Sequence, residues 1–174
     1  MEKKLIVFTD SGDTIIDEGT EVRDENGIVI HAQTIPQAAE TMAEIHRRGY
    51  LIAMVADGEE KSFENVYIEN GLGYIFKTRT ISEIVGVQKP DREMFEDAME
   101  KNGRTEEDKK RIVMVGNNVK KDIAGANRFG ITSILLDWSP RYDMEPKNPD
   151  EKADYIIHKP EELLPLLEKL NNQL

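Results

Sequence analysis

The chain has 174 residues, 39% of them apolar and 33% charged, which fits one globular domain of ordinary size and excludes a disordered or low-complexity protein. It has no cysteine, so disulfides and thiolate chemistry are excluded. A net charge of −11 sets the surface against nucleic acid and anionic membranes, serves solubility by default, and obliges a phosphorylated ligand to find a local cation.

Met1-Glu2-Lys3-Lys4 leads into Leu5–Phe8, an apolar run far too short for a signal peptide or a membrane span; a cytoplasmic protein is expected. Four unbroken apolar residues read as a strand buried on both faces. Glu21-Val22-Arg23 and Ile28-Val29-Ile30 flank Asn26-Gly27, a hairpin signal because both turn residues tolerate positive φ. A helix is predicted from Pro36 to Arg48, stopped by Gly49, with Ala39, Met42, Ala43 and His46 on its packed face and His46 half-buried. Leu51–Val55 is the second long strand, and a helix over Ser62–Asn70 ends at Gly71. Thr78–Ser82 makes a short third strand, and Lys89-Pro90-Asp91 opens a helix to Asn102. Ile112–Val115 is a strand, Gly116-Asn117-Asn118 a loop, Asp122–Phe129 a helix, and Ile134–Leu136 a strand. Asp137–Asp154, with three prolines and many charges, reads as a surface loop, followed by a strand at Tyr155–Ile157 and a helix over Pro160–Leu170. Alternating strands and helices without a linker predict a single α/β domain over residues 1–174, with a doubly wound, mainly parallel sheet.

In such sheets ligands bind beyond the carboxyl ends of the strands, where the strand order reverses. The residues just past each apolar run are Asp10, Gly12, Asp13 and Thr14; Ala56, Asp57 and Gly58; Lys89; and Gly116, Asn117, Asn118 and Asp122. Acids, amides and one lysine thus gather on one edge, and crowded oxygen ligands of this kind suit Mg²⁺. The plainer readings are that Asp10 only caps a turn, that Asp57-Gly58 is only a turn, and that Lys120 and Lys121 form a solvated loop pair. Asp13 and Asp17 read as turn or flap residues, His31 and His158 as incidental. Trp138, Tyr142 and Met144 serve packing or an oligomer contact.

Three segments, Val7-Phe8-Thr9-Asp10-Ser11-Gly12-Asp13-Thr14-Ile15, Gly86-Val87-Gln88-Lys89-Pro90-Asp91-Arg92-Glu93-Met94-Phe95 and Val115-Gly116-Asn117-Asn118-Val119-Lys120-Lys121-Asp122-Ile123-Ala124-Gly125-Ala126, resemble in order, spacing and strand context the haloacid dehalogenase (HAD) superfamily. The resemblance implies a Rossmann-like core in which the first strand lies beside the fourth of the sheet, with a β-hairpin flap. The short stretches from Thr14 to Leu51 and from Asp57 to Lys89 leave no room for a cap domain. It further implies that Asp10 is a nucleophile forming an aspartyl-phosphate, with Lys89 contacting nucleophile and phosphate. Ala56 and Asp57 fall at the phosphate-binding position, and Asp10, the Gly12 carbonyl, Asn117 and Asp122 at the Mg²⁺.

This chain departs from the pattern in three places. Gly12 stands where most phosphatases of the family carry a second Asp as general acid/base, a service worth about 10²–10⁴-fold in rate; Asp13 is one residue further along. Ala56 replaces a Ser or Thr, and Asn117 replaces an acid at the metal. On this pattern Gly12→Asp should raise turnover. The leading expectation is a Mg²⁺-dependent phosphomonoester hydrolase acting on a small phosphorylated substrate. The alternative, favoured by the three departures, is a weakened relative that binds a phosphorylated ligand or protein. A third is a receiver-like domain with Asp57 as phosphoacceptor, against which the length and the Gly116–Ala126 segment argue. A capless site is open to a bulky substrate, or to cover by another subunit of a homo-oligomer.

Overall fold

The computed structural model describes residues 4–174; Met1–Lys3, where the leader reading begins, lie outside them. The first apolar run forms β1 (Ile6–Thr9), every residue buried. Its pleat sends Val7 to one core and Ile6 and Phe8 to another, so the strand is packed on both faces. The hairpin follows as β2 (Val22–Arg23) and β3 (Val29–His31). Its turn differs from the expected one: only Gly27, at φ 80°, is left-handed. Asp24 N–H donates to the Ile28 carbonyl, and the Asp24 carboxylate accepts from the N–H groups of Asn26 and Ile28. The result is a three-residue loop closed by an Asp side chain rather than a two-residue Asn-Gly turn.

Helix α1 (Ala38–Arg47) starts two residues past Pro36, after Gln37 takes a left-handed φ of 68°. Its buried face is Ala38, Thr41, Met42 and Ile45, not the expected stripe through Ala43 and His46. Ile45 has more apolar area to hide than either alanine, and it turns the helix by about one residue. His46 is exposed and meets Tyr74 edge-on. Then come β4 (Leu51–Ala56), α2 (Glu60–Glu69), β5 (Thr78–Ile81), the short α3 (Ser82–Val85) and α4 (Arg92–Lys101). Asp91 caps α4 by accepting the Glu93 N–H. The second half adds β6 (Ile112–Gly116), a single π-helical turn (Val119–Ile123) running into α5 (Ala124–Phe129), then β7 (Thr132–Leu136), β8 (Tyr155–Ile157) and α6 (Leu163–Asn171).

Six parallel strands pair in the order β5-β4-β1-β6-β7-β8. β1 lies between β4 and β6, as the resemblance implies. Helices α1, α2 and α6 cover one face, and α4 and α5 the other. The chain winds outward from β1 in one direction through β4 and β5, then returns to its far side at β6. The strand order therefore reverses at β1 and β6, which places a crevice at their carboxyl ends. Between β1 and β4 stand only a 3-10 turn at Glu18–Thr20, the hairpin and α1. The hairpin is stitched to α2: Val29 N–H donates to Ser62 Oγ, and the amides of Asn65 and Asn70 donate to the Val29 and Ala32 carbonyls. Among the described residues no helix is long and apolar enough to cross a membrane.

Candidate active site

Asp10 leaves β1 with its N–H still bonded to the Val115 carbonyl of β6, at 2.9 Å. The chain then folds sharply, with the Ser11 carbonyl accepting the N–H groups of Thr14, Ile15 and Ile16. Asp13 takes a φ of 50°, a left-handed value that Asp tolerates better than most residues. It is fully buried and already engaged: it accepts the Glu18 N–H at 3.0 Å and Arg141 Nε at 2.6 Å. Asp13 therefore cannot stand in for an acid at position 12.

Lys89 joins the strand ends. Only 3% exposed, its ammonium donates to Asp10 Oδ1 at 2.8 Å, to Asp122 Oδ1 at 2.7 Å and to the Val55 carbonyl at 2.8 Å. The Lys89-Pro90 peptide is cis. Burial alone would lower the Lys89 pKa; Asp10, Asp122 and Asp57 outweigh it and hold the ammonium above its ordinary range. Asp122 is pushed up, first by burial and then by Asp10, with Lys89 opposing. The two upward shifts differ in origin: that of Lys89 comes from the carboxylates around it, that of Asp122 first from its own burial and then from Asp10, with one ammonium shared between the two acids.

Asp122, expected at the Mg²⁺, has both carboxylate oxygens bonded within the protein. Oδ1 is taken by Lys89, while Oδ2 accepts the N–H groups of Asn117 at 3.1 Å and Asn118 at 3.0 Å. It pins the loop after β6 and holds Lys89. Gly116 makes room for it, because a Cβ there would lie 2.2 Å from Asp122 Cγ. Gly116→Ala is expected to force that carboxylate aside and lower stability by about 1–3 kcal/mol, the usual cost of overpacking. A urea-unfolding midpoint equal to the wild type would show the position to be roomy.

The other three expected ligands do meet. The side-chain amide end of Asn117 lies 3.1 Å from Asp10 Oδ2 and 3.2 Å from the Gly12 carbonyl. Two orientations are chemically sensible: the NH₂ donates to both oxygens, or the amide oxygen joins them to form a three-oxygen cradle. That donor set fits a hard cation, with one carboxylate, one carbonyl and one amide. Among the described residues no group of three or more His, Cys, Asp or Glu side chains is arranged to hold a metal.

Ala56 and Asp57 separate. Ala56 closes β4 at 1% exposure, paired with Ile81, and does not line the cavity; it offers no surface for the phosphate contact expected of it. Asp57 does line it, but as an anchor for cations. Its Oδ1 accepts the Lys89 N–H and its Oδ2 accepts Lys121 Nζ at 2.9 Å. Lys121, expected to be solvated, is carried inward by the π turn, where Asn118 Oδ1 caps the N–H groups of Lys120 and Lys121.

The cavity above these groups measures about 260 Å³. Its wall adds Arg23 and Val29 of the hairpin, Ser62 and Phe63 of α2, and Glu18 and Tyr142, none of which the sequence singled out for the site. Tyr142 Oη donates to Glu18 Oε2 at 2.8 Å. Burial raises the Glu18 pKa, Asp13 and Asp10 add to the rise, and the Tyr142 hydrogen bond offsets part of it. A Cβ on Gly12 would lie 2.2 Å from Glu18 Oε1, so the Glu18 carboxyl fills the space a side chain at position 12 would take. Of the other late-loop residues, Trp138 packs against the core that α1, α2 and α6 share, and Met144 against the cluster of Val119, Ile123 and Leu135.

A model of the haloacid dehalogenase-like hydrolases matches residues 2–130. The chain is 33% identical over 136 residues to the glyceraldehyde 3-phosphate phosphatase of Methanopyrus kandleri, over 78% of this chain and 57% of that protein. It is 31% identical over 122 residues to the phosphoserine phosphatase of Thermus thermophilus, over 70% of this chain and 46% of that one. Among solved structures it is similar to the HAD-hydrolase YfnB from Bacillus subtilis bound to magnesium, with a TM-score of 0.68 at 26% identity, covering 78% of this chain and 56% of that one. The chain thus spans about half the length of these three proteins. Sheet order, motif positions and the family match agree: this chain belongs to the haloacid dehalogenase-like hydrolases.

Proposed function

We propose that the chain, acting as one domain in the cytoplasm, hydrolyses phosphomonoesters of small molecules through a phosphoryl group carried on Asp10. The observation that carries this is the buried Lys89 ammonium bridging Asp10 and Asp122 at 2.8 and 2.7 Å. Lys89 engages Oδ1 of Asp10 and leaves Oδ2 beside the Asn117 amide and the Gly12 loop. Lys121, tethered by Asp57, supplies a second cation for the phosphate in an otherwise acidic protein. Two relatives are named for small phosphomonoesters, which fits a cavity of about 260 Å³.

Asp10 Oδ2, the Gly12 carbonyl and the Asn117 side-chain oxygen would hold Mg²⁺, the amide turning its oxygen inward to do so. Bound there, the ion would offset the charge of the transferring phosphoryl oxygens. With one carboxylate in the cradle, the protein would hold the ion weakly.

A second reading, a site that binds a phosphorylated ligand without turning it over, draws support from Gly12 and from the sealed Ala56. The receiver-like reading fits poorly, since both oxygens of Asp57 are bonded within the protein. Hydrolysis of p-nitrophenyl phosphate and a panel of phosphorylated metabolites, with Mg²⁺ and with EDTA, separates the first two. Turnover that EDTA removes supports the enzyme, whereas saturable binding without phosphate release would establish the binding module.

A further inference from the structure

We propose that Glu18 is the proton-transfer residue of this site, delivering from a neighbouring turn the carboxyl that position 12 lacks. The inference rests on the phosphatase reading above and names a residue outside the three motifs. Glu18 Oε1 sits 2.2 Å from where a Cβ of residue 12 would be, so its carboxyl occupies the volume an Asp at 12 would fill. The backbone is built to hold it there. Asp13 accepts the Glu18 N–H, Asp17 accepts the Gly19 N–H, and Tyr142 Oη donates to Glu18 Oε2. Oε1 is left without a hydrogen-bond partner among the described residues, on the wall of the cavity that Asp10 also lines. The other two acids of this loop are committed elsewhere, Asp13 to Arg141 and Asp17 to the turn.

In the first step an Asp10 carboxylate oxygen bonds to phosphorus and the ester P–O bond breaks. The Glu18 carboxyl gives its proton to the departing alkoxide, which leaves as an alcohol. In the second step a water oxygen bonds to phosphorus while Glu18, now a carboxylate, takes a proton from that water. The P–O bond to Asp10 breaks, releasing inorganic phosphate and restoring both side chains. An alkoxide needs the proton; a nitrophenolate does not.

Glu18→Gln keeps the size of the side chain and can keep the Tyr142 contact, so the fold is preserved in the test. With an alkyl phosphate, kcat/KM is expected to fall by about 10²–10⁴-fold, the usual worth of general acid catalysis. With p-nitrophenyl phosphate it should fall by roughly tenfold or less, because the leaving group departs unaided. The first turnover should then appear as a burst of nitrophenolate while the phosphorylated enzyme waits for its water. Gly12→Asp alone collides with Glu18, so it should give no gain; placed in Glu18→Ala, it should recover alkyl phosphate turnover. Equal losses on both esters, or no loss, would overturn the role of Glu18. Asp10→Asn run beside it separates the two claims. If that variant is dead while Glu18→Gln matches the wild type, only the Glu18 inference falls. If Asp10→Asn still turns over, or the wild type cleaves neither ester, the phosphatase reading falls as well.

Discussion

Asp10→Asn should eliminate phosphate release, by about 10⁴–10⁶-fold, the scale seen when one member of a covalent catalytic unit is removed. The amide has nearly the same shape and can still accept a hydrogen bond from Lys89, but its oxygen is a poor nucleophile toward phosphorus. The fold should not suffer. In the wild type Lys89 answers two carboxylates at 2.8 and 2.7 Å, and burial already works against ionised Asp122. With residue 10 neutral, the ammonium and Asp122 become a one-to-one pair, and the thermal midpoint should hold or rise. Activity lost with stability kept is the signature of a site arranged for chemistry at a cost to the fold. Residual hydrolysis at wild-type rate would remove Asp10 as the nucleophile, and a large drop in midpoint would make it a structural residue.

Lys89→Met carries the largest expected cost in stability. It strands two carboxylates around a buried position, and breaking a buried ion pair costs about 3–5 kcal/mol. For a chain of this length that corresponds to roughly 6–20 °C in thermal midpoint. The pH dependence has a definite sign. Burial and Asp10 hold the folded Asp122 pKa above its ordinary value while Lys89 pulls it down, so losing the lysine raises it further. A carboxyl whose folded pKa exceeds its unfolded value takes up a proton on folding, so its stability contribution is lost as pH climbs from about 4 through the folded value. The deficit of Lys89→Met in urea should therefore be smaller at about pH 5 than at about pH 8. Adding Asp122→Asn should recover part of it. A deficit that does not change with pH would mean that Asp122 is not the group left uncompensated. In the wild type the lysine's own contribution persists below its unfolded value of about 10.4 and disappears as pH rises through its raised folded pKa.

The parts legible in the sequence are those written locally. Leu5–Phe8, Leu51–Val55 and Ile112–Val115 announce buried parallel strands by apolar content alone, and the residues just past them supply Asp10, Asp57 and the Gly116–Asn118 loop. Lys89 was found because the segment around it is itself a motif. The misses depend on distance along the chain. Arg141 and Tyr142 reach Asp13 and Glu18 across more than a hundred residues, from a stretch that reads only as a charged loop. Lys121 looks solvated because a π turn, which leaves no composition signal, swings it toward Asp57. The face of α1 was misjudged because alanines mark a helix stripe weakly, and Ile45 decided it. The hydrogen bonds of Asp122 are hidden for the same kind of reason: neither N–H that fills its second oxygen can be read from residue type.

The stitching of the hairpin to α2 sets how this site meets its surroundings. Three hydrogen bonds clamp that ribbon to a helix of the main body, so widening the entrance would have to break them or carry α2 along. On the proposed phosphatase reading, discrimination among substrates would then rest on what the cavity walls admit. Small alcohols would compete with water for the phosphoryl group, and transfer to an added alcohol would show it.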